Sequence, residues 1–143
     1  MKFSTLASAA TVVFVAPTAF ACPDGALQAT VNLMVSVGQH GEGVDIDETS
    51  TAIDEHTAAC EANPYVLKVA ALARSTLADV AEDKTDRVKL RDQALADFDR
   101  SASLASVGAL SEPVMINGQA MMIGFSDTAE LRAALIAALD EDR

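Results

Sequence analysis

Sulfur-bearing side chains are the groups in this sequence that are best suited to chemistry. Cys22 and Cys60 are the two thiols, and Met115, Met121 and Met122 place three thioethers in one short stretch. Thiols support redox reactions or a disulfide, and thioethers are soft ligands that suit copper. Because the sequence has no C-x-x-C pair, we predict a structural disulfide between Cys22 and Cys60, worth roughly 3–4 kcal/mol through loop closure.

Nitrogen and oxygen ligands form no comparable group. His40 lies with three acidic residues in the Gly-rich segment 38–47, whose spacing fits no calcium-binding loop, so we expect a solvated loop there. His56 falls in a helical pattern and is expected to be a structural histidine in a helix interface. Neither histidine has the sequence context of a catalytic triad. We therefore expect a protein that is not an enzyme, with no catalytic residue and no bound metal or cofactor.

The first 21 residues are typical of an export signal. Lys2 provides the positively charged start, and residues 6–15 form an apolar stretch that is too short to span a bilayer. Ala19 and Ala21 then form an A-x-A cleavage site. Cleavage would leave residues 22–143 as a single domain of 122 residues, in the periplasm or secreted. An oxidising compartment of this kind agrees with the predicted disulfide.

The mature chain is strongly acidic. Without Lys2 it has nine basic and 21 acidic residues, which give a net charge of −12. Such an excess repels phosphate backbones and anionic lipid headgroups, so we expect no nucleic-acid binding and no membrane insertion after signal cleavage. The acids form no long run, and their acidity is interpreted as a source of solubility.

Hydrophobic periodicity predicts helices through most of the mature chain before residue 106. The predicted helices occupy residues 24–38, 48–62, 64–81 and 85–104. Asp24 is the expected cap of the first helix and Gly38 its end. Asn63 and Pro64 mark the start of the third helix, because Asn is a favoured N-cap and Pro a favoured first helical residue.

Residues 112–143 depart from this helical pattern. Two apolar strands flank Asn117 and Gly118, which form a strong signal for a type I′ hairpin turn. Asp127 and Glu130 form a capping box ahead of a last helix.

Both faces of the predicted hairpin are apolar. Alternation places Met115 and Met122 on one face. The other face has four apolar side chains: Val114, Ile116, Met121 and Ile123. We expect the last helix to cover this second, β-branched face, and the helical array or a partner protein to meet the methionine face.

The helical part, residues 24–106, resembles a degenerate pair of tetratricopeptide repeats. Ala52, Ala59 and Pro64 match the spacing of that family's two small residues and closing proline. A similar small–aromatic–small order recurs at Ala94, Phe98 and Ser101. The resemblance implies a mainly α fold, in which two stacked tetratricopeptide-like helical hairpins precede a short β-hairpin and a C-terminal helix.

In tetratricopeptide-like pairs, the first helix of each hairpin lines a concave groove, and here that implies the helix at 64–81. Helical spacing leaves four residues of this helix to face the groove: Lys68, Ala71, Ser75 and Asp79. Together with Met115 and Met122 they are the predicted partner-binding residues. The expected function is that of an exported, non-enzymatic helical module for protein–protein interaction or scaffolding in the cell envelope, which binds another envelope protein or a peptide segment.

The order strand, hairpin, glycine, helix over residues 112–141 also resembles the end of a thioredoxin-like chain. This second resemblance implies thiol redox chemistry, and the soft thioethers of the hairpin methionines separately suggest copper. The alternative function is therefore a thiol or soft-metal protein built around these methionines and Cys22. That family also has a parallel central strand followed by C-x-x-C, and no apolar strand occurs between residues 26 and 107. The helical interaction module is therefore the preferred hypothesis.

We predict that the exported protein begins at Cys22 and has no lipid on it. A lipoprotein signal also ends at a cysteine, but it favours Leu where this chain has Ala19 and a small residue where it has Phe20. The intact mass of the exported protein should equal that of residues 22–143 with one disulfide. A mass increased by a diacylglyceryl group would contradict this prediction.

Overall fold

The structure, a computed structural model, describes residues 22–105 and 109–143. Its elements in chain order are α1 (Ala26–His40), a 3-10 turn (Gly41–Gly43), α2 (Ile46–Ala59), α3 (Pro64–Val80), α4 (Lys84–Leu104), β1 (Glu112–Ile116), β2 (Gln119–Ile123) and α5 (Thr128–Asp142). The predicted order of helical hairpins, β-hairpin and C-terminal helix is confirmed. The predicted export signal, residues 1–21, lies outside the described residues.

Short polar side chains start three of the helices. The Asn63 side chain accepts hydrogen bonds from the main-chain N–H groups of Tyr65 and Val66, with Pro64 at the first helical position, as predicted. Asp83 caps α4 in the same way. Asp45 caps α2 and accepts from the N–H of Glu48, so this helix begins earlier than its apolar pattern predicts.

Helix α1 differs from its predicted bounds at both ends. Gly25, with a φ of 77°, is its N-cap, and Asp24 lies outside the helix. Gly38 is inside the helix and does not end it; the end comes at Gly41, whose φ of 53° leaves the helical region. The segment 38–47 is therefore not the continuous loop that its glycines predict, because its first half is helical.

Helix α3 is the centre of the helical part, where it packs against α1, α2 and α4. Eleven of its 17 residues are buried. Its buried apolar side chains are Val66, Leu67, Val69, Ala70, Ala71, Ala73, Leu77 and Ala78. Since half of these are alanine, neighbouring helices approach α3 closely on several sides. A helix that is apolar nearly all round must be enclosed in this way.

Two apolar clusters lie on different sides of α3. The first joins α3 to Val37 of α1, Ile53 of α2 and Leu90 of α4. The second joins Ala71 of α3 to Phe98 of α4, and Leu135 of α5 also packs there. The four central helices and the last helix therefore share one continuous helical core.

A buried arginine links three of the helices. Arg74 of α3 is 4% exposed, and its guanidinium donates to the carboxylate of Asp97 on α4 at 2.8 Å and contacts that of Asp54 on α2 at 2.9 Å. Burial raises the pKa of Asp97, and the charge and hydrogen bond of Arg74 oppose that rise. The two carboxylates leave the buried guanidinium compensated for charge.

The β-hairpin and α5 pack on different parts of the helical core, which corrects the expectation that α5 covers the hairpin. The β-branched face of the hairpin rests on α1, where Val114 contacts a cluster with Val31 and with Val69 of α3. Helix α5 packs against α4 instead. Of its predicted apolar stripe, Leu135 and Leu139 are buried, Leu131 and Ala138 are half-buried, and Ala134 is exposed.

Lys68 lies beside the turn that joins these two elements. Its ammonium, in a side chain that is 4% exposed, donates to the carbonyl of Gly124 and to the carboxylate of Asp127. The turn between β2 and α5 is thereby held against α3. Asp127 is still the residue before α5, but its carboxylate makes no cap bond because Lys68 engages it, so the predicted capping box does not form.

The disulfide between Cys22 and Cys60 is present. It spans 38 positions, joins Cα atoms 4.9 Å apart, and fixes the segment before α1 to the end of α2. This pairing confirms the prediction made from the cysteine count. No helix in the described ranges 22–105 and 109–143 is long and apolar enough to cross a membrane.

Removal of the disulfide should destabilise the domain without altering its fold. The double substitution Cys22→Ala/Cys60→Ala restores the loop entropy of the unfolded chain, so we expect the free energy of unfolding to fall by about 3–4 kcal/mol. Urea denaturation followed by circular dichroism measures this change, with reduced wild-type protein as the matched control. A fall below about 1 kcal/mol in both samples would show that the crosslink has little effect on the unfolded state.

A candidate interaction surface on the β-hairpin

The hairpin turn has the geometry that its sequence predicts. Asn117 has a φ of 51° and Gly118 a φ of 78°, so both central residues are left-handed, as a type I′ turn requires. The register pairs Val114 with Met121, and Ile116 with Gln119. This register follows from the predicted turn and confirms the predicted division of side chains between two faces.

Residues from α3 hold the base of the hairpin. The Tyr65 hydroxyl donates to the carbonyl of Leu110, and its ring lies 4.9 Å from that of Phe125. Burial, assisted by the negative charge of Glu112, raises the pKa of Tyr65, so the phenol stays protonated and remains a donor. Lys68 holds the carbonyl of Gly124, so both ends of the hairpin are tied to α3.

Gly124 lies where the two ends of the hairpin meet. A Cβ at this position would lie 2.8 Å from the hydroxyl of Ser111. Because Ser111 is exposed, rotation of its side chain would relieve this contact, so a small side chain at position 124 requires only a local adjustment.

Strand β1 is seated on α1, and β2 extends beyond it. Val114 is buried, whereas Met121, its partner on the same face, is 49% exposed. On the outer face, Met115 is 49% exposed and Met122 is 60% exposed. Pro113 and Ala120 complete this face and are also exposed. We call these four outer residues, Pro113, Met115, Ala120 and Met122, the outer hairpin face.

Gln28 of α1 covers the outer edge of β1. Its side-chain amide donates to the carbonyl of Met115 and accepts from the N–H of Met115, both at 2.8 Å. A neighbouring strand would make the same two hydrogen bonds to the main chain of one residue. A second α1 side chain, Gln39, bonds the side chain of Asn117 at 3.1 Å and steadies the turn.

The outer edge of β2 has no such cover. In a hairpin with a two-residue turn, the pair next to the turn is hydrogen-bonded and the following pair points its main-chain groups outward. Gln28 bonds the main-chain N–H and C=O of Met115, so these groups point outward from β1. The main-chain groups of its partner Ala120, and of Met122 two residues later, therefore point outward from β2. Among the described residues, no hydrogen bond from outside the hairpin reaches the main chain of β2.

The four predicted groove residues on α3 do not line an open groove. Lys68 and Ala71 are 3% and 0% exposed, because the turn before α5 covers the first and the α4–α5 cluster encloses the second. Ser75 is half-buried, and Asp79 is exposed but paired with Arg91 at 3.0 Å. The structure thus corrects the expectation that these side chains face a groove. It does leave the other two predicted residues, Met115 and Met122, exposed.

The candidate thiol and metal ligands are placed apart. Cys22 is bonded to Cys60, and the described residues include no free cysteine. His56 is half-buried between α2 and α1, and its Nδ1 lies 2.8 Å from the Thr30 hydroxyl. That hydroxyl gives its proton to the Ala26 carbonyl, so Nδ1 is the donor to Thr30. No group of three His, Cys, Asp or Glu side chains suited to a metal ion occurs in the described parts of the chain.

No protein-family model, curated protein or solved structure matches this chain. The candidate site is therefore defined by its own geometry. Sequence reasoning found the outer-face methionines but missed Gln28, whose position in α1 carries no local signal for a contact with a strand far along the chain.

Gln28→Ala should loosen the hairpin and leave the helical core unchanged. The substitution removes two hydrogen bonds to Met115, each worth about 0.5–1.5 kcal/mol and weaker where water competes. We expect hairpin opening to become easier by about 1–2 kcal/mol, seen as faster amide hydrogen exchange in β1 and β2. Gln39→Ala is the matched control, because it removes one exposed side-chain bond at the turn. Equal exchange rates in both variants and the wild type would contradict the role given to Gln28.

Proposed function

We propose that this protein is an exported, non-enzymatic helical module that binds another protein of the cell envelope through its hairpin. The observation that supports the proposal is the outer hairpin face, where Met115 and Met122 stand exposed next to an uncovered strand edge. Single exposed apolar side chains are ordinary on protein surfaces, but a contiguous apolar face on a held element is typical of an interaction site. Methionine adapts its shape to a partner more readily than branched side chains do.

The composition of the hairpin supports the same proposal. Residues 113–125 contain no charged side chain in a chain that is 22% charged. Interface centres are depleted of charge and enriched in methionine compared with the remaining surface. The helical core positions this segment through Tyr65, Lys68 and Gln28, so the surface is presented in a fixed orientation. A preformed surface loses less conformational entropy on binding than a flexible loop would.

Export and the acidic surface complete the proposal. The disulfide suits an oxidising compartment, in agreement with the predicted signal at residues 1–21. The net charge of −12 on the mature chain supports a protein partner over nucleic acid or an anionic membrane.

The soft-metal alternative has weaker support. Met115 and Met122 share the outer face, but Met121 lies on the other face with Val114. Two thioethers with no accompanying histidine or thiolate form an incomplete copper site. Because Cys22 is bonded to Cys60, the thiol half of this alternative would require reduction of the disulfide first.

Replacement of both outer-face methionines should weaken partner binding. In Met115→Ser/Met122→Ser two half-exposed side chains lose their apolar area, and full burial of one such side chain is worth about 1.5–3 kcal/mol. We expect at least about a tenfold loss of affinity, which corresponds to 1.4 kcal/mol. The measurement is quantitative capture of envelope proteins on the immobilised domain.

The control for this experiment is Ala133→Ser/Ala137→Ser, which adds the same hydroxyls to exposed positions of α5. The free energy of unfolding of both double variants should stay within about 0.5 kcal/mol of the wild-type value, since all four positions are on the surface. Equal capture by the wild type and both variants would move the binding surface away from the hairpin.

A further inference from the structure

The free edge of β2 offers main-chain groups at a regular spacing. Ala120 and Met122 point their N–H and C=O groups away from β1, two residues apart on the same edge. In the described residues these groups have no partner from α1 or any other element, whereas Gln28 occupies the equivalent groups of Met115. One edge of this two-stranded sheet is closed and the other is open.

We propose that β2 binds an extended segment of another protein, which adds to the sheet as a third strand and is basic at its ends. This inference rests on the proposed function, since it names the occupant of the same hairpin surface. Outward N–H and C=O groups alternating along a strand are matched by an extended segment, because a helix uses its own groups internally. The incoming side chains on one side would lie next to Met122 and Ala120 of the outer hairpin face.

The strand lacks the devices that usually protect an edge. Residues 119–123 contain no lysine, no proline and no charge, and the register shows no bulge. Native sheets block free edges with such features or with a covering element. Here the covering element is present on β1 and missing on β2 within the described chain, so the asymmetry marks β2 as the side on which a strand can be added.

The charge distribution favours a basic occupant. Six cations, Lys68, Arg74, Arg87, Arg91, Arg132 and Arg143, are ion-paired within the domain. Seven of the 21 acidic residues take part in ion pairs within the described residues, so 14 carboxylates have no ion pair there. The domain as a whole is therefore negative, and its long-range field attracts a segment with lysine or arginine at its ends.

The same charge argues against a second copy as the occupant. Two β2 strands could align with Met121 on a two-fold axis, but each mature chain has a net charge of −12. Like charges of this size oppose association, and an edge of five residues buries far less than the roughly 1,200 Å² of a stable specific interface. A basic segment is attracted to the acidic domain and not repelled by it. A segment longer than the edge also buries more area, because it continues across the outer hairpin face.

The test uses a synthetic peptide, KKTVTVTVKK, added to the mature, oxidised domain. We expect saturable binding that weakens at least about tenfold between 50 and 500 mM NaCl, with slower amide hydrogen exchange at Ala120 and Met122. The peptide KKTVPVTVKK, in which proline removes a donor, and EETVTVTVEE, with acidic ends, should each bind at least tenfold more weakly. Equal binding of all three peptides, or protection elsewhere than β2, would overturn the proposal.

Protein variants separate the strand edge from the apolar face. Met122→Pro removes the outward N–H of residue 122 and leaves the bonds between β1 and β2 in place, so it should reduce peptide binding at least tenfold. Met122→Ser keeps that N–H and is the matched control, with a smaller loss. Hydrogen exchange of Ile123 and Val114 reports whether the hairpin is intact in both variants. Equal binding by two intact variants would exclude main-chain addition.

Two further outcomes distinguish this inference from the proposed function. If no peptide binds but capture of envelope proteins still depends on Met115 and Met122, strand addition is overturned and the interaction module stands. If capture is also independent of these residues, both fail. Sedimentation of the domain alone should show a monomer at 50 and 500 mM NaCl, and a dimer abolished by Met122→Pro would replace the basic segment with a second copy.

Discussion

Enclosure of α3 is the constraint on which the remaining structure depends. The helix is covered on most sides, and its alanines allow α1, α2 and α4 to approach closely. A helix enclosed in this way cannot leave charged side chains unpaired, because an uncompensated buried charge costs several kcal/mol. Arg74 and Lys68 are the buried cations of α3, and each determines where neighbouring elements can lie.

The two cations organise different parts of the chain. Arg74 draws Asp54 of α2 and Asp97 of α4 to the same helix, which adds directional contacts to an otherwise apolar core. Lys68 binds Gly124 and Asp127, so the turn between the hairpin and α5 is held against α3. Apolar clusters place the hairpin on α1 and α5 on α4, and the outer hairpin face remains without cover from the described chain.

This arrangement connects packing with the proposed function. The hairpin is fixed at its base and along β1, while β2 has an open edge and an uncharged sequence. Exposed apolar edges are a hazard in most proteins, and the net charge of −11 on the full sequence reduces that hazard because like charges oppose association of copies. In the proposed binding mode, the same charge would favour a partner segment with basic ends.

The local sequence by itself determined the elements of this protein. Apolar periodicity, the pair Asn63 and Pro64, and the turn at Asn117 and Gly118 predicted the helices, a helix start and the strand register, because each depends on residues near one another in the chain. The cysteine count predicted the disulfide. The expectation that Gly38 ends the first helix was wrong, because the helix continues to His40.

Only the tertiary structure decided which surfaces are covered. Lys68 has the spacing of a surface residue on an amphipathic helix, yet it is buried under the turn that carries Asp127, 59 positions later. Gln28 closes the edge of β1 at Met115, 87 positions away. Helical spacing shows which side chains share a face, but it does not show which element covers that face. The open edge of β2 follows from those distant contacts, since long-range packing determined on which side of the hairpin α1 lies.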